Sequence, residues 1–151
     1  MNKAMGKKLA WIAVGLLLGG LPNLVQCAGH AGCSALAVKS AMAAEPTNFT
    51  QSAFAAAQEA GKPILVHVNA GWCPTCAQQR PILDKLEHSA ELGDLTVFTV
   101  DFDSQKDVLR DLNVQQQSTL IVYAGKTEKG RATGITDPDA IRSLLLEAKQ
   151  P

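Results

Sequence analysis

The stretch VHVNAGWCPTCAQQRPILDKL, Val66 to Leu86, places two cysteines three positions apart, just past an apolar run. That run, ILVHV (Ile64 to Val68), has the length and β-branched character of a buried strand. From about Cys73 to Ala90 the pattern turns helical. Ile82, Leu83, Leu86 and Ala90 share one face, and Pro81 is expected to bend the helix. The pair therefore sits where a strand gives way to a helix, with Cys73 at the helix N-terminus and Cys76 one turn inward. Half a zinc site, a structural disulfide and a redox couple can all use such a pair.

Moving outward, helix and strand signals alternate. TNFTQSAFAAAQEAGKP offers Asn48 or Thr50 as an N-cap, an Ala-rich helix, Gly61 as a stop and Pro63 beyond it. LTVFTVDFD (Leu95 to Asp103) is a second strand, with Asp101 and Asp103 read as solvated strand-end residues. DVLRDL is a short helix, and STLIVYAG with GRATGI forms a hairpin. Thr136 or Asp137 caps a last helix with Pro138 in its first turn. In that helix Ile141, Leu144, Leu145 and Ala148 recur at helical spacing. The order predicts an α/β domain, a mixed sheet covered by helices on both faces.

Charge is segregated along the chain. All 14 acidic residues lie at or after Glu45 with ten of the 14 Lys and Arg, a net −4 from there on. A mildly acidic domain has no basic surface for phosphate backbones, which argues against a nucleic-acid partner. The first 43 residues carry Lys3, Lys7, Lys8 and Lys39 and no acid. Three lysines followed by LAWIAVGLLL (Leu9 to Leu18) read as an export signal over residues 1–43. Cleavage after Ala43 is preferred to cleavage after Ala37, and the alternatives are an uncleaved membrane anchor and a misassigned start, with Met42 the first residue of a cytoplasmic protein. Gly19, Gly20, Pro22 and Asn23 interrupt the apolar stretch before the roughly 20 residues that a span requires. Cys27 and Cys33 lie in this leader, leaving Cys73 and Cys76 in a mature domain of residues 44–151.

The surroundings of the pair choose among its chemistries. A structural zinc site takes four ligands, and His88 lies roughly 18 Å along the helix from Cys76, out of reach. A disulfide inside one helical turn closes too small a loop to restrict the unfolded chain much. Redox chemistry suits the position, because free N–H groups and the helix dipole stabilise a thiolate at Cys73. A thiol near pKa 8.5 is only about 3% ionised at pH 7, and one near 6.5 is about 75% ionised. Cys73 is then the exposed nucleophile. Cys76, more buried, resolves the mixed disulfide. No metal or other cofactor is called for.

WCPTC after an apolar strand, with RPILDKL carrying the helix through a proline, resembles the thioredoxin superfamily from about Phe49 to Ala148. The resemblance implies a thioredoxin fold, Cys73 and Cys76 as the catalytic couple, Trp72 shielding the site, and Pro74 and Thr75 tuning its potential. The CPTC tetrad is also similar to that of periplasmic thiol-disulfide reductases of cytochrome c maturation. Two positions depart from the family. His67 stands where a buried Asp helps move the second cysteine's proton, and Thr99 where a lysine partners that Asp. His67 reads as a core histidine, with a general base as the alternative. Ser118, in the Gln117–Ser118–Thr119 substrate loop, replaces a cis-proline. A trans bond is expected before it, and so is recovery of the family geometry on restoring proline.

Together these readings describe a periplasmic thiol-disulfide oxidoreductase, a reductase of protein disulfides fed by a membrane thiol-electron donor. The competing class is a non-enzymatic thioredoxin-like binding module or chaperone. A metal carrier using the cysteine pair is a weaker third.

Overall fold

The computed structural model describes residues 46–150. The leader expected over residues 1–43, with its candidate cleavage sites, Cys27 and Cys33, lies outside the described residues. The described chain runs β1 (Thr47–Asn48), α1 (Gln51–Glu59), β2 (Pro63–Asn69), α2 (Pro74–Glu87), β3 (Thr96–Asp101), α3 (Lys106–Asp111), β4 (Thr119–Ala124), β5 (Thr127–Thr133) and α4 (Pro138–Glu147). Each helix expected from the sequence is present. Thr50 caps α1 by accepting the Ala53 N–H, and Asp137 caps α4 through the Ala140 N–H. The two-residue strand β1 was not anticipated, being too short to show a period.

The sheet order is β1-β3-β2-β4-β5. β1, β3 and β2 run parallel, while β4 and β5 are antiparallel additions. β2 is thus central, paired on both sides, and buried from Ile64 to Val68. Alternation along it assigns side chains to the two faces. Ile64, Val66 and Val68 join Phe54 of α1 and Leu109 of α3 on one face. Leu65 joins Leu83 of α2 and Ile141, Leu144 and Leu145 of α4 on the other. His67 shares the second face by parity, in register with Thr99 and Leu120.

Two local details fix how α2 and the hairpin sit. α2 ends at Glu87, so Ala90 falls in the following turn and is exposed rather than on the buried face. The deepest stripe of α2 is Cys76, Gln79, Leu83 and Glu87, with Ile82 and Leu86 only partly buried. At the hairpin, the β4–β5 register slips between Val122 and Tyr123. Gly130 lies beside this irregularity, under α4. A Cβ there would overlap the Glu147 carboxylate and come within 2.9 Å of Leu144 Cδ1, so glycine lets α4 lie against the edge strand.

Candidate active site

Cys73 is the N-cap of α2, with an extended backbone at φ −83° and ψ 115°. Its Sγ accepts the Cys76 N–H at 3.1 Å. A sulfur here does what a serine or aspartate oxygen does at other helix starts, taking up a main-chain donor the helix leaves free. Pro74 occupies the next position, where its missing N–H costs nothing. Both cysteines are unpaired, and both are buried: Cys73 is 3% exposed and Cys76 0%. The expected contrast in exposure is therefore nearly absent. Ala70 and the partly buried Phe102 pack with the two sulfurs. Electrostatics must distinguish the thiols.

For Cys73 it does. Burial is the largest single influence and opposes ionisation. Hydrogen bonds from the Cys76 and Ser118 side chains, then from the Cys76 and Thr75 backbones, outweigh it together and hold the thiol below its ordinary value. Ser118 Oγ lies 3.1 Å from Cys73 Sγ and 3.3 Å from Cys76 Sγ. A hydroxyl has one proton and two lone pairs. With Cys73 ionised, Ser118 donates to that sulfur, and the single Cys76 proton serves either Cys73 or Ser118 Oγ, not both at once.

The backbone of Ser118 corrects one expectation. Its φ is 60°, in the left-handed region, which costs a serine about 1–2 kcal/mol. Its N–H donates to the Val68 carbonyl at 2.9 Å. A proline ring is locked near φ −65° and has no N–H, so proline at this position would break that bond and force the loop to rebuild. The loop is therefore shaped for a serine and would not simply recover the family geometry. No cis peptide occurs among the described residues. Thr119, also buried, donates to the Gln116 carbonyl at 2.8 Å and pairs with the Thr133 hydroxyl at 2.9 Å. Gln117 is half-buried just ahead of Ser118.

His67 is brought near the site but not onto it. No hydrogen bond joins it to either sulfur among the described residues. Burial lowers its pKa from 6.5 to about 4, opposed by the Gln79 side chain and aided by the charge of Arg80. At neutral pH the ring is an uncharged core group and a weak base, consistent with the reading as a core histidine. Trp72 is 60% exposed, its Nε1 donating to Asp103 Oδ2 at 2.8 Å. Asp101 accepts from the Ser104 N–H and hydroxyl, closing the turn after β3. These aspartates thus have structural partners as well as solvent.

Sequence reasoning missed Gln79. It is fully buried, and its Nε2 donates to the carbonyls of Ser118 at 3.1 Å and Ile135 at 2.9 Å. The signal was available: three positions after Cys76 and four before Leu83, Gln79 had to face inward.

The thioredoxin family model matches residues 44–147. The chain belongs to the thioredoxin family. Trxlp of Edwardsiella tarda superposes with a TM-score of 0.65 at 42% identity, covering 67% of this chain and 98% of that one. A thioredoxin of Chlamydia trachomatis is 32% identical over 82 residues, 54% of this chain and 78% of its own. Protein disulfide-isomerase tigA of Aspergillus niger is 34% identical over 130 residues, 84% of this chain. The chain spans only 34% of the length of that relative. With the fold, the free Cys73–Cys76 pair and this membership, the chain is a thiol-disulfide oxidoreductase of the thioredoxin family.

Proposed function

We propose that this thioredoxin-family protein is an exported, periplasmic reductase of protein disulfides, with Cys73 as nucleophile and Cys76 as resolving thiol. The observation that carries the reading is the Cys73 sulfur, capping α2 and held below its ordinary pKa by donors that include Ser118. The Cys73 thiolate attacks one sulfur of a substrate R–S–S–R′, and R′–S⁻ leaves and takes a proton from water. Cys76 then gives its proton to Ser118 Oγ, which passes its own to the departing R sulfur. As R–SH leaves, Cys76 closes the Cys73–Cys76 disulfide. The substrate gains two electrons and two protons. A membrane thiol-electron donor restores the dithiol by the reverse exchange.

The lysine-then-apolar leader supports export, and the CPTC likeness supports the reducing direction. Stabilising the reduced thiolate pulls the other way, toward an oxidant. Equilibration of the pair with glutathione weighs the two: a potential near about −270 mV is expected, and one near about −120 mV would mean an oxidant. In the same preparation Cys73→Ser should abolish insulin reduction and Cys76→Ser should accumulate mixed disulfides. Insulin reduction surviving Cys73→Ser would remove the nucleophile assignment. Fractionation tests the location, with a periplasmic chain starting at Ala44 expected.

A further inference from the structure

Ser118 must be held in place, since serine adopts a left-handed backbone reluctantly. Three hydrogen bonds do the holding. Its N–H donates to the Val68 carbonyl, and its own carbonyl receives the Gly134 N–H at 2.9 Å and Gln79 Nε2 at 3.1 Å. The first two join main chain to main chain across the sheet. Gln79 is the side chain among the three, and it starts on the helix that carries Cys76. It therefore links that helix to the residue whose hydroxyl lies between the sulfurs.

The Gln79 amide is tightly committed. Both Nε2 protons are used, on the carbonyls of Ser118 and Ile135, so the amide bridges the loop before β4 and the segment after β5. Its other end meets His67: the two side chains interact, yet Gln79 Oε1 and His67 Nε2 are each left without a full hydrogen bond. A fully buried amide in an otherwise aliphatic layer is costly unless its donors and acceptor are used. Here the donors serve the carbonyls behind the redox pair.

We propose that Gln79 is a positioning residue of the redox centre, clasping the Ser118 carbonyl so that Ser118 Oγ stays within reach of both sulfurs. This rests on reading Cys73 and Cys76 as the redox couple. Without the clasp, only the two main-chain bonds hold residue 118, and the loosened backbone lets its hydroxyl shift away from Cys73. The effect on Cys73 passes entirely through Ser118. That dependence separates positioning from mere support of the fold.

The test compares Gln79→Met, similar in length and apolar, in the wild-type and Ser118→Ala backgrounds. Thiolate absorbance gives the pH at which Cys73 is half ionised, and thermal melting follows the fold. Gln79→Met should raise the midpoint by about half to one pH unit, which at pH values well below the midpoint slows alkylation by about threefold to tenfold. In the Ser118→Ala background it should add no further shift. An equal shift in both backgrounds, or a lower melting temperature with an unmoved midpoint, would overturn the proposal. If Gln79→Met does not fold, NMR of the unmutated protein decides. The Gln79 side-chain amide should move between dithiol and disulfide forms and lose that response in Ser118→Ala, with exposed Gln78 as control. A Gln79 signal indifferent to redox state, or one responding equally without the Ser118 hydroxyl, would overturn it. Both readouts follow the thiolate and the amide rather than turnover, so they stand even if the chain proves not to be a reductase.

Discussion

The two faces of the sheet are built from different chemistry. Toward α1 and α3, Phe49, Phe54, Phe98 and Tyr123 pack with ring centroids 5.1–5.9 Å apart, three of the four contacts being edge-on. Such pairs add about 0.5–1.5 kcal/mol each beyond the area they bury. Toward α2 and α4 the filling is aliphatic, yet Gln79 and His67 are as buried there as Leu83. The rings of the first face make no hydrogen bond to the sulfurs among the described residues, and that face reaches the site only through Phe102 and the Val68 carbonyl. The second gives up some apolar packing to route polar contacts toward Ser118. Stability and reactivity in this domain are thus assigned to opposite sides of one central strand.

Breaking the aromatic side should have the largest effect on stability. Phe98→Ala is expected to cost about 3–5 kcal/mol by urea unfolding, while Cys73 alkylation at pH 7 stays within about twofold of wild type. A matching change in alkylation would show that the faces are not independent.

Acid should act on the polar side. Unfolded, His67 titrates near its ordinary 6.5, but folded it titrates near about 4, mainly through burial. Between those values the unfolded chain binds a proton that the folded chain does not. Stability therefore falls as pH drops from about 6.5 to about 4, by about 3 kcal/mol in all. His67→Leu should flatten that part of the profile, measured as urea midpoints at several pH values. An unchanged slope would mean that another group titrates there.

The smallest change in stability is expected at Ser118, with reactivity moving on its own. Ser118→Gly relieves the left-handed strain and removes the hydroxyl. Unfolding free energy should stay within about 1 kcal/mol of wild type, while Cys73 alkylation at pH 7 slows several-fold. Equal losses in both would make the serine an ordinary packing residue.

The β2–α2 unit was legible because its signals are local: a β-branched run, a cysteine at a helix start, and a proline where no N–H is needed. Ser118 was legible as an unusual residue but not as a left-handed one. Its φ is imposed by Val68, Gly134 and Gln79, which lie 50, 16 and 39 positions away in the chain. Gln79 was visible as an inward-facing polar residue, but its partners arise only when two segments after the cysteines fold back across the sheet. β1 was hidden by brevity. Cys73 was expected to be more exposed, since a helix terminus is open by itself; here Ala70, Phe102 and Ser118 close over it.

The central position of β2 has a consequence for timescale. Its amides are paired to β3 on one side and β4 on the other, and both faces are covered, whereas among the described residues β1 and β5 each pair on one side only. Amide exchange should therefore be slowest from Ile64 to Val68 and fastest at the two sheet margins. Cys73 lies five residues beyond the end of that slowest segment. Fluctuations that open the edge strands can come and go while the sulfur's anchorage persists, and hydrogen-exchange lifetimes along the chain would map that difference directly.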